Sequence, residues 1–120
     1  MPRILLVEDN TNARVAYTIA LKRFGYEVQP AEDGQVALEL FHPKEVDLVV
    51  TDYKMPRLDG DRLVLQLHRL QPDLPVLVIS AFETKDLRDK VSNESRLYFL
   101  AKPFTTVQLK STIDRILHEK

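Results

Sequence analysis

The sequence predicts a doubly wound α/β domain, a five-stranded parallel sheet covered by helices on both faces. Three observations predict it. Short apolar runs rich in β-branched or aromatic residues recur along the chain. Segments of helical period lie between them, and the two alternate as βα five times. Repeated βα units require parallel strands joined by crossovers of one hand.

The first strand is Ile4-Leu5-Leu6-Val7, and its continuous apolar run suits burial on both faces. Ala13, Ala16, Ala20 and Phe24 share one face of the first helix, which Gly25 stops. Tyr26-Glu27-Val28-Gln29 alternates and then meets Pro30, the pattern of an edge strand. A short helix follows Asp33-Gly34, with Ala37, Leu40 and Phe41 inward and Pro43 at its end. Leu48-Val49-Val50 is the third strand. Leu63, Leu67 and Leu70 form the inner stripe of a helix that follows Gly60 and ends at Pro72. Val76-Leu77-Val78-Ile79 and Tyr98-Phe99-Leu100-Ala101 are the fourth and fifth strands. Between them, residues 84–92 carry only Leu87 and Val91 as apolar positions, which predicts a loosely held helix. Thr105 with Gln108 is a capping-box pattern ahead of Leu109, Ile113 and Ile116.

Length and composition bound the function. A chain of 120 residues is one domain, 1–120, and buries roughly two-thirds of its unfolded surface, enough for a core without staples. There are no cysteines, which excludes disulfides, zinc-thiolate sites, iron–sulfur clusters and thiol nucleophiles. Three glycines (Gly25, Gly34, Gly60) cannot build a glycine-rich nucleotide cradle. A net charge of −1 argues against direct nucleic-acid binding. The first sixty residues are net acidic and the last sixty net basic. Only four consecutive apolar residues precede Glu8-Asp9, too few for a signal peptide or a membrane span. The expectation is a cytoplasmic protein with no membrane association.

Open parallel sheets bind ligands beyond the carboxyl ends of their strands. Here those ends carry Glu8-Asp9, Asp52, Ser80-Ala81 and Lys102-Pro103. If the first and third strands are neighbours, three carboxylates converge and need a positive partner. A hard divalent cation with oxygen ligands fits, and Mg²⁺ is the natural ion. Lys102 adds a point charge and Ser80 a hydroxyl. The set forms a clamp for phosphoryl oxygens, with Asp52 as the carboxylate nucleophile.

These residues resemble a response-regulator receiver domain of two-component signalling, of the chemotaxis-regulator type. The matching pieces are Leu6-Val7-Glu8-Asp9-Asn10, Thr51-Asp52-Tyr53-Lys54-Met55-Pro56 with Asp59-Gly60, Ile79-Ser80-Ala81 and Ala101-Lys102-Pro103-Phe104, in the family's order and spacing. The resemblance implies a flavodoxin-like receiver fold with strand order 2-1-3-4-5. It implies that Asp52 accepts a phosphoryl group from a phosphohistidine of a sensor histidine kinase or phosphotransfer protein. Asp9 and Asp52 would ligate Mg²⁺, or Mn²⁺ in its place, with Glu8 acting largely through water and the Lys54 backbone carbonyl as a further ligand. Lys102 would contact the phosphoryl group, and the Lys102–Pro103 bond would be cis. Ser80 would swing toward the phosphoryl group and Phe99 would follow it inward. That shift would remodel the face made by the helix at 84–92, the fifth strand and the C-terminal helix, and so control an output domain or downstream protein. The chain would catalyse its own phosphorylation and slow dephosphorylation without turnover of an outside substrate. A phosphorylation-dependent homodimer is a further option.

The sequence departs from the family pattern at three places. Phe99 stands where tyrosine is common, so it lacks a polar handle and favours the inward state. Asn93-Glu94-Ser95-Arg96 replaces the usual glycine-containing turn, which removes support for the usual dimer face. Lys54 and Phe82 flank the expected path of a hydrolytic water, and a long cation with a bulky ring there predicts slow loss of phosphate.

Other readings fit less well. A haloacid-dehalogenase-like phosphatase needs a second aspartate where Lys54 stands. A flavodoxin-like electron carrier needs a hydroxyl-rich phosphate loop, but Glu8-Asp9-Asn10-Thr11-Asn12 would repel the flavin phosphate. A scaffold-only degenerate receiver would not need the intact set Asp9, Asp52, Ser80 and Lys102. His42, His68 and His118 show no ligand spacing and read as solvated helix residues. Lys85, Arg88 and Lys90 read as a solvated face, or as a partner-docking surface.

Overall fold

The computed structural model describes residues 1–53, 60–80 and 96–119. The expectations for Lys54, Phe82, Asn93–Ser95 and the helix at 84–92 with Lys85, Arg88 and Lys90 lie outside the described residues. Strand β1 (Arg3–Val7) leads to helix α1 (Thr11–Arg23), then β2 (Glu27–Ala31) and α2 (Gly34–Leu40). Next come β3 (Leu48–Asp52), α3 (Gly60–Leu70), β4 (Val76–Ser80), β5 (Leu97–Ala101) and α4 (Thr106–His118). All strand pairs are parallel, in the order β2-β1-β3-β4-β5.

The continuous apolar strands are explained by two cores, one on each face of the sheet. Successive side chains point to opposite faces. Leu5, Val7, Val49, Val76 and Val78 therefore pack with Ala37 of α2 and Leu63, Val64 and Leu67 of α3. Ile4, Leu6, Val50, Leu77 and Ile79 pack with Leu21 of α1 and Leu109, Ile113 and Ile116 of α4. β5 is the exception. The sequence predicts cover on both faces, yet Leu97–Leu100 are half-buried and Ala101 is exposed, and the strand lies at the sheet edge. β2 lies at the opposite edge, as its alternation predicts, but runs through Pro30 to Ala31. A strand paired on one side only tolerates a missing N–H.

Helix ends follow side-chain chemistry. The Asn10 side chain caps α1 by accepting the Ala13 N–H at 2.9 Å, and Lys22 and Arg23 occupy its last turn, where cations favour the helix dipole. Gly25, at φ 98°, takes the left-handed turn that follows. Asp33 caps α2 through the Val36 N–H at 2.9 Å. The Thr105–Gln108 capping box is formed in both directions, at 3.0 and 2.7 Å.

Two inward assignments and one outward assignment differ from expectation. Ala16 is exposed, because α1 is rotated to bring Tyr17, Leu21 and Phe24 against the core. Leu70 is 53% exposed, and Val64 takes its place beside Leu63 and Leu67. His68 is not solvated. It is buried, and its ring Nε2–H donates to the Leu74 carbonyl at 2.7 Å. The turn after α3 folds Leu74 back beneath the helix, and the imidazole satisfies a carbonyl that water cannot reach.

Candidate functional site

Register brings the polar strand ends to one rim. Val7 pairs with Thr51, which sets Glu8 and Asp9 beside Asp52, the last residue of β3. Ser80 ends β4 and pairs with Ala101, the last residue of β5, so Lys102 follows at the same edge. The Lys102 backbone N–H donates to the Ser80 carbonyl at 2.8 Å, tying the two ends together. The Lys102–Pro103 bond is cis, as expected.

Carboxylate oxygens of Glu8, Asp9 and Asp52 all lie within 4.8 Å of one another. The Lys102 Nζ stands 3.3 Å from Asp52 Oδ2 and 3.9 Å from Glu8 Oε1. Backbone groups hold two of the acids. Asp52 Oδ1 accepts the Tyr53 N–H at 3.0 Å, and Glu8 Oε2 accepts the Asn10 N–H at 3.1 Å. Asp9 is exposed, whereas Glu8 is 3% exposed.

Burial governs the titration of Glu8. Loss of water raises its carboxyl to about 7. The Asn10 N–H opposes that rise, the Asp52 charge and the Asp9 hydrogen bond add to it, and Lys102 offsets it only weakly. Burial by itself would lower the Lys102 ammonium, but Asp52 and Glu8 outweigh it and its pKa is raised. Lys102 is therefore a cation throughout the neutral range. Among the described residues one ammonium stands beside a cluster of three carboxylates, which leaves the rim short of positive charge. All the donors are hard oxygens, which suits a small divalent cation such as Mg²⁺.

The predicted Glu8, Asp9, Asp52 and Lys102 thus share one rim. Ser80 is 2% exposed at the neighbouring strand end. Phe99 is half-buried, pairs with Val78 and packs on the face covered by α2 and α3. The Lys54 carbonyl lies outside the described residues.

Residues of α1 complete the rim and were not singled out from sequence. The Arg14 Nη1 donates to the Glu8 backbone carbonyl at 2.8 Å and lies 3.5 Å from that of Asp9. The Tyr17 ring stacks on Phe104, with centroids 5.7 Å apart and planes 25° from parallel. An arginine in the first turn of the helix that follows the two acids was a usable signal for the first contact. No local pattern announces the second. Among the described residues, no helix is long and apolar enough to cross a membrane.

Residues 4–114 match the family model described as response regulator receiver domain. The chain is 34% identical over 119 residues to the sensor kinase CckA of Brucella abortus, covering 98% of this chain and 13% of that protein. It is 36% identical over 115 residues to the response regulator MprA of Mycolicibacterium vanbaalenii, covering 96% of this chain and 50% of that protein. It therefore spans no more than half the length of these curated relatives. Among solved structures, the non-phosphorylated HemR receiver domain from Leptospira biflexa superposes with a TM-score of 0.92 at 28% identity. That match covers 100% of this chain and 97% of the other.

Proposed function

The chain belongs to the response regulator receiver domain family, and on that premise we propose that residues 1–120 form a phosphorylation-controlled switch whose acceptor is Asp52. The observation that carries this reading is the convergence of Glu8, Asp9 and Asp52 on one rim with Lys102 at 3.3 Å from Asp52. A donor phosphohistidine approaches Asp52, the P–N bond breaks, a P–O bond to the Asp52 carboxylate forms, and the imidazole leaves with the electron pair. The Asp52 side chain is held for attack by its hydrogen bond from the Tyr53 N–H. Lys102, whose ammonium already stands beside Asp52, receives the phosphoryl charge, an electrostatic contribution made by a group fixed in advance.

Glu8, Asp9 and Asp52 would hold Mg²⁺, or Mn²⁺ in its place, with the Lys54 carbonyl as a further ligand. When bound, the ion supplies the positive charge that the three carboxylates lack and an acceptor position for a phosphoryl oxygen. Ser80, adjacent to Lys102 through their backbone hydrogen bond, is the hydroxyl that senses the phosphoryl group, and Phe99 is the ring that follows it. The face around β5 and α4 then communicates with an output domain or downstream protein. The donor is a sensor histidine kinase or phosphotransfer protein in the cytoplasm. The chain acts as a signalling module that promotes its own phosphorylation, with no turnover of an outside substrate.

The test is incubation with acetyl phosphate and Mg²⁺, followed by intact mass. The wild type is expected to gain one phosphate and Asp52→Ala none. No gain on the wild type contradicts the reading.

A further inference from the structure

Lys102 sits on a long, flexible stem, and such a side chain loses much rotamer freedom when its ammonium is held in one place. Its backbone is pinned upstream by the Ser80 carbonyl at 2.8 Å. Downstream, Phe104 rests on the Tyr17 ring at 5.7 Å. Both rings are half-buried against the core formed with α1 and α4. Tyr17 lies one turn after Arg14 on α1, and Arg14 donates to the Glu8 carbonyl at 2.8 Å. Positions three apart on a helix share a face. One face of α1 therefore touches the acidic half of the rim through Arg14 and, through Tyr17, the ring of Phe104 two residues after Lys102.

We propose that Tyr17 is a positioning residue for phosphorylation: by stacking on Phe104 it fixes the Lys102–Pro103–Phe104 turn and holds the ammonium over Asp52 before a phosphoryl group arrives. α1 is then the spacer that sets the separation between Glu8-Asp9 and Lys102. This deepens the receiver reading and rests on it. An offset-stacked aromatic pair resists sliding, which an aliphatic side chain at position 17 would not. The Tyr17 phenol also lies within electrostatic reach of Lys102, Glu8 and Asp52, and burial together with the two carboxylates raises its pKa despite Lys102.

The test compares wild type with Tyr17→Leu, Tyr17→Phe, Phe104→Leu and the double variant Tyr17→Leu/Phe104→Leu. Phosphorylation by acetyl phosphate is followed by mass, and Mg²⁺ affinity by tyrosine fluorescence. Tyr17→Leu is expected to lower the maximal rate about tenfold, since small misplacements of a charge-stabilising group cost at least that much. Mg²⁺ affinity should stay within about twofold, because the acids are untouched. Tyr17→Phe, which keeps the ring, should restore most of the rate. The double variant should lose no more than either single one, as expected for residues acting as a unit. A wild-type rate in Tyr17→Leu, additive losses in the double variant, or a parallel fall in Mg²⁺ affinity overturns the proposal. A wild type that takes no phosphate contradicts the receiver reading instead. The positioning role is then still decided by the Lys102 ¹⁵Nζ resonance of the ion-free protein. It should move in Tyr17→Leu and not in Tyr17→Phe, and an unmoved resonance in Tyr17→Leu overturns the role.

Discussion

The Lys102 ammonium stands 3.3 Å from Asp52 Oδ2, and the two residues come from the ends of strands that are not neighbours in the sheet. β4 lies between them, and Lys102 reaches past Ser80 to make the contact. The same ammonium is 3.9 Å from Glu8 Oε1, so one cation serves two acids.

Removing that cation should separate two properties. In Lys102→Met the three carboxylates lose their only nearby ammonium among the described residues. A divalent cation should then bind more tightly, while phosphorylation falls about 100-fold for want of a charge on the phosphoryl side. Isothermal titration with Mg²⁺ and phosphorylation rates check both halves. Weaker Mg²⁺ binding would show that Lys102 organises the acids rather than competing with an ion for them.

Glu8 makes stability depend on pH in an unusual direction. Its carboxyl is raised from 4.5 to about 7 by burial, so between those values the folded state binds more protons than the unfolded one. Stability from this group is full below pH 4.5 and is lost as pH rises to about 7. In chelator-treated protein, denaturant midpoints should therefore fall from pH 5 to pH 8 by more in wild type than in Glu8→Gln. Adding Mg²⁺ at pH 8 should recover the loss, because a bound cation favours the ionised acid. Equal slopes in the two proteins would remove Glu8 as the cause.

His68 should matter for stability and not for chemistry. His68→Ala removes the donor to the Leu74 carbonyl, and a buried acceptor without its partner costs about 1–3 kcal/mol. A lower urea midpoint with an unchanged phosphorylation rate is expected. An unchanged midpoint would mean that water or a neighbouring group takes over the carbonyl.

The capping box gives a local measure of how firmly α4 is seated. Thr105→Ala removes the acceptor for the Gln108 N–H and should cost about 1 kcal/mol. Amide exchange should rise first at the start of α4, leaving Ile113 and Ile116 protected.

The strands and the polar residues at their ends were legible because both are written locally, whereas the strand order came only with the family resemblance. Each strand is an apolar run that stops at a polar residue, and parallel register carries Glu8, Asp52, Ser80 and Lys102 to one edge. Rotation of the helices was less legible. Ala16 and Tyr17, or Val64 and Leu70, are all acceptable inner residues by period, and the sheet beneath decides which turns inward. His68 looked like a solvated histidine because its partner, the Leu74 carbonyl, is created only by the turn after α3. The Tyr17–Phe104 stack joins the first helix to the segment after the last strand, and no local pattern encodes such a meeting.

The central claim is that Asp52 carries the phosphoryl group in a site completed by a divalent cation. Peptide mapping of the phosphorylated chain after borohydride reduction, with and without Mg²⁺, tests it most directly. Modification confined to Asp52 and dependent on Mg²⁺ is predicted. Phosphate on any other residue, or equal labelling of Asp52 in excess chelator, would contradict it.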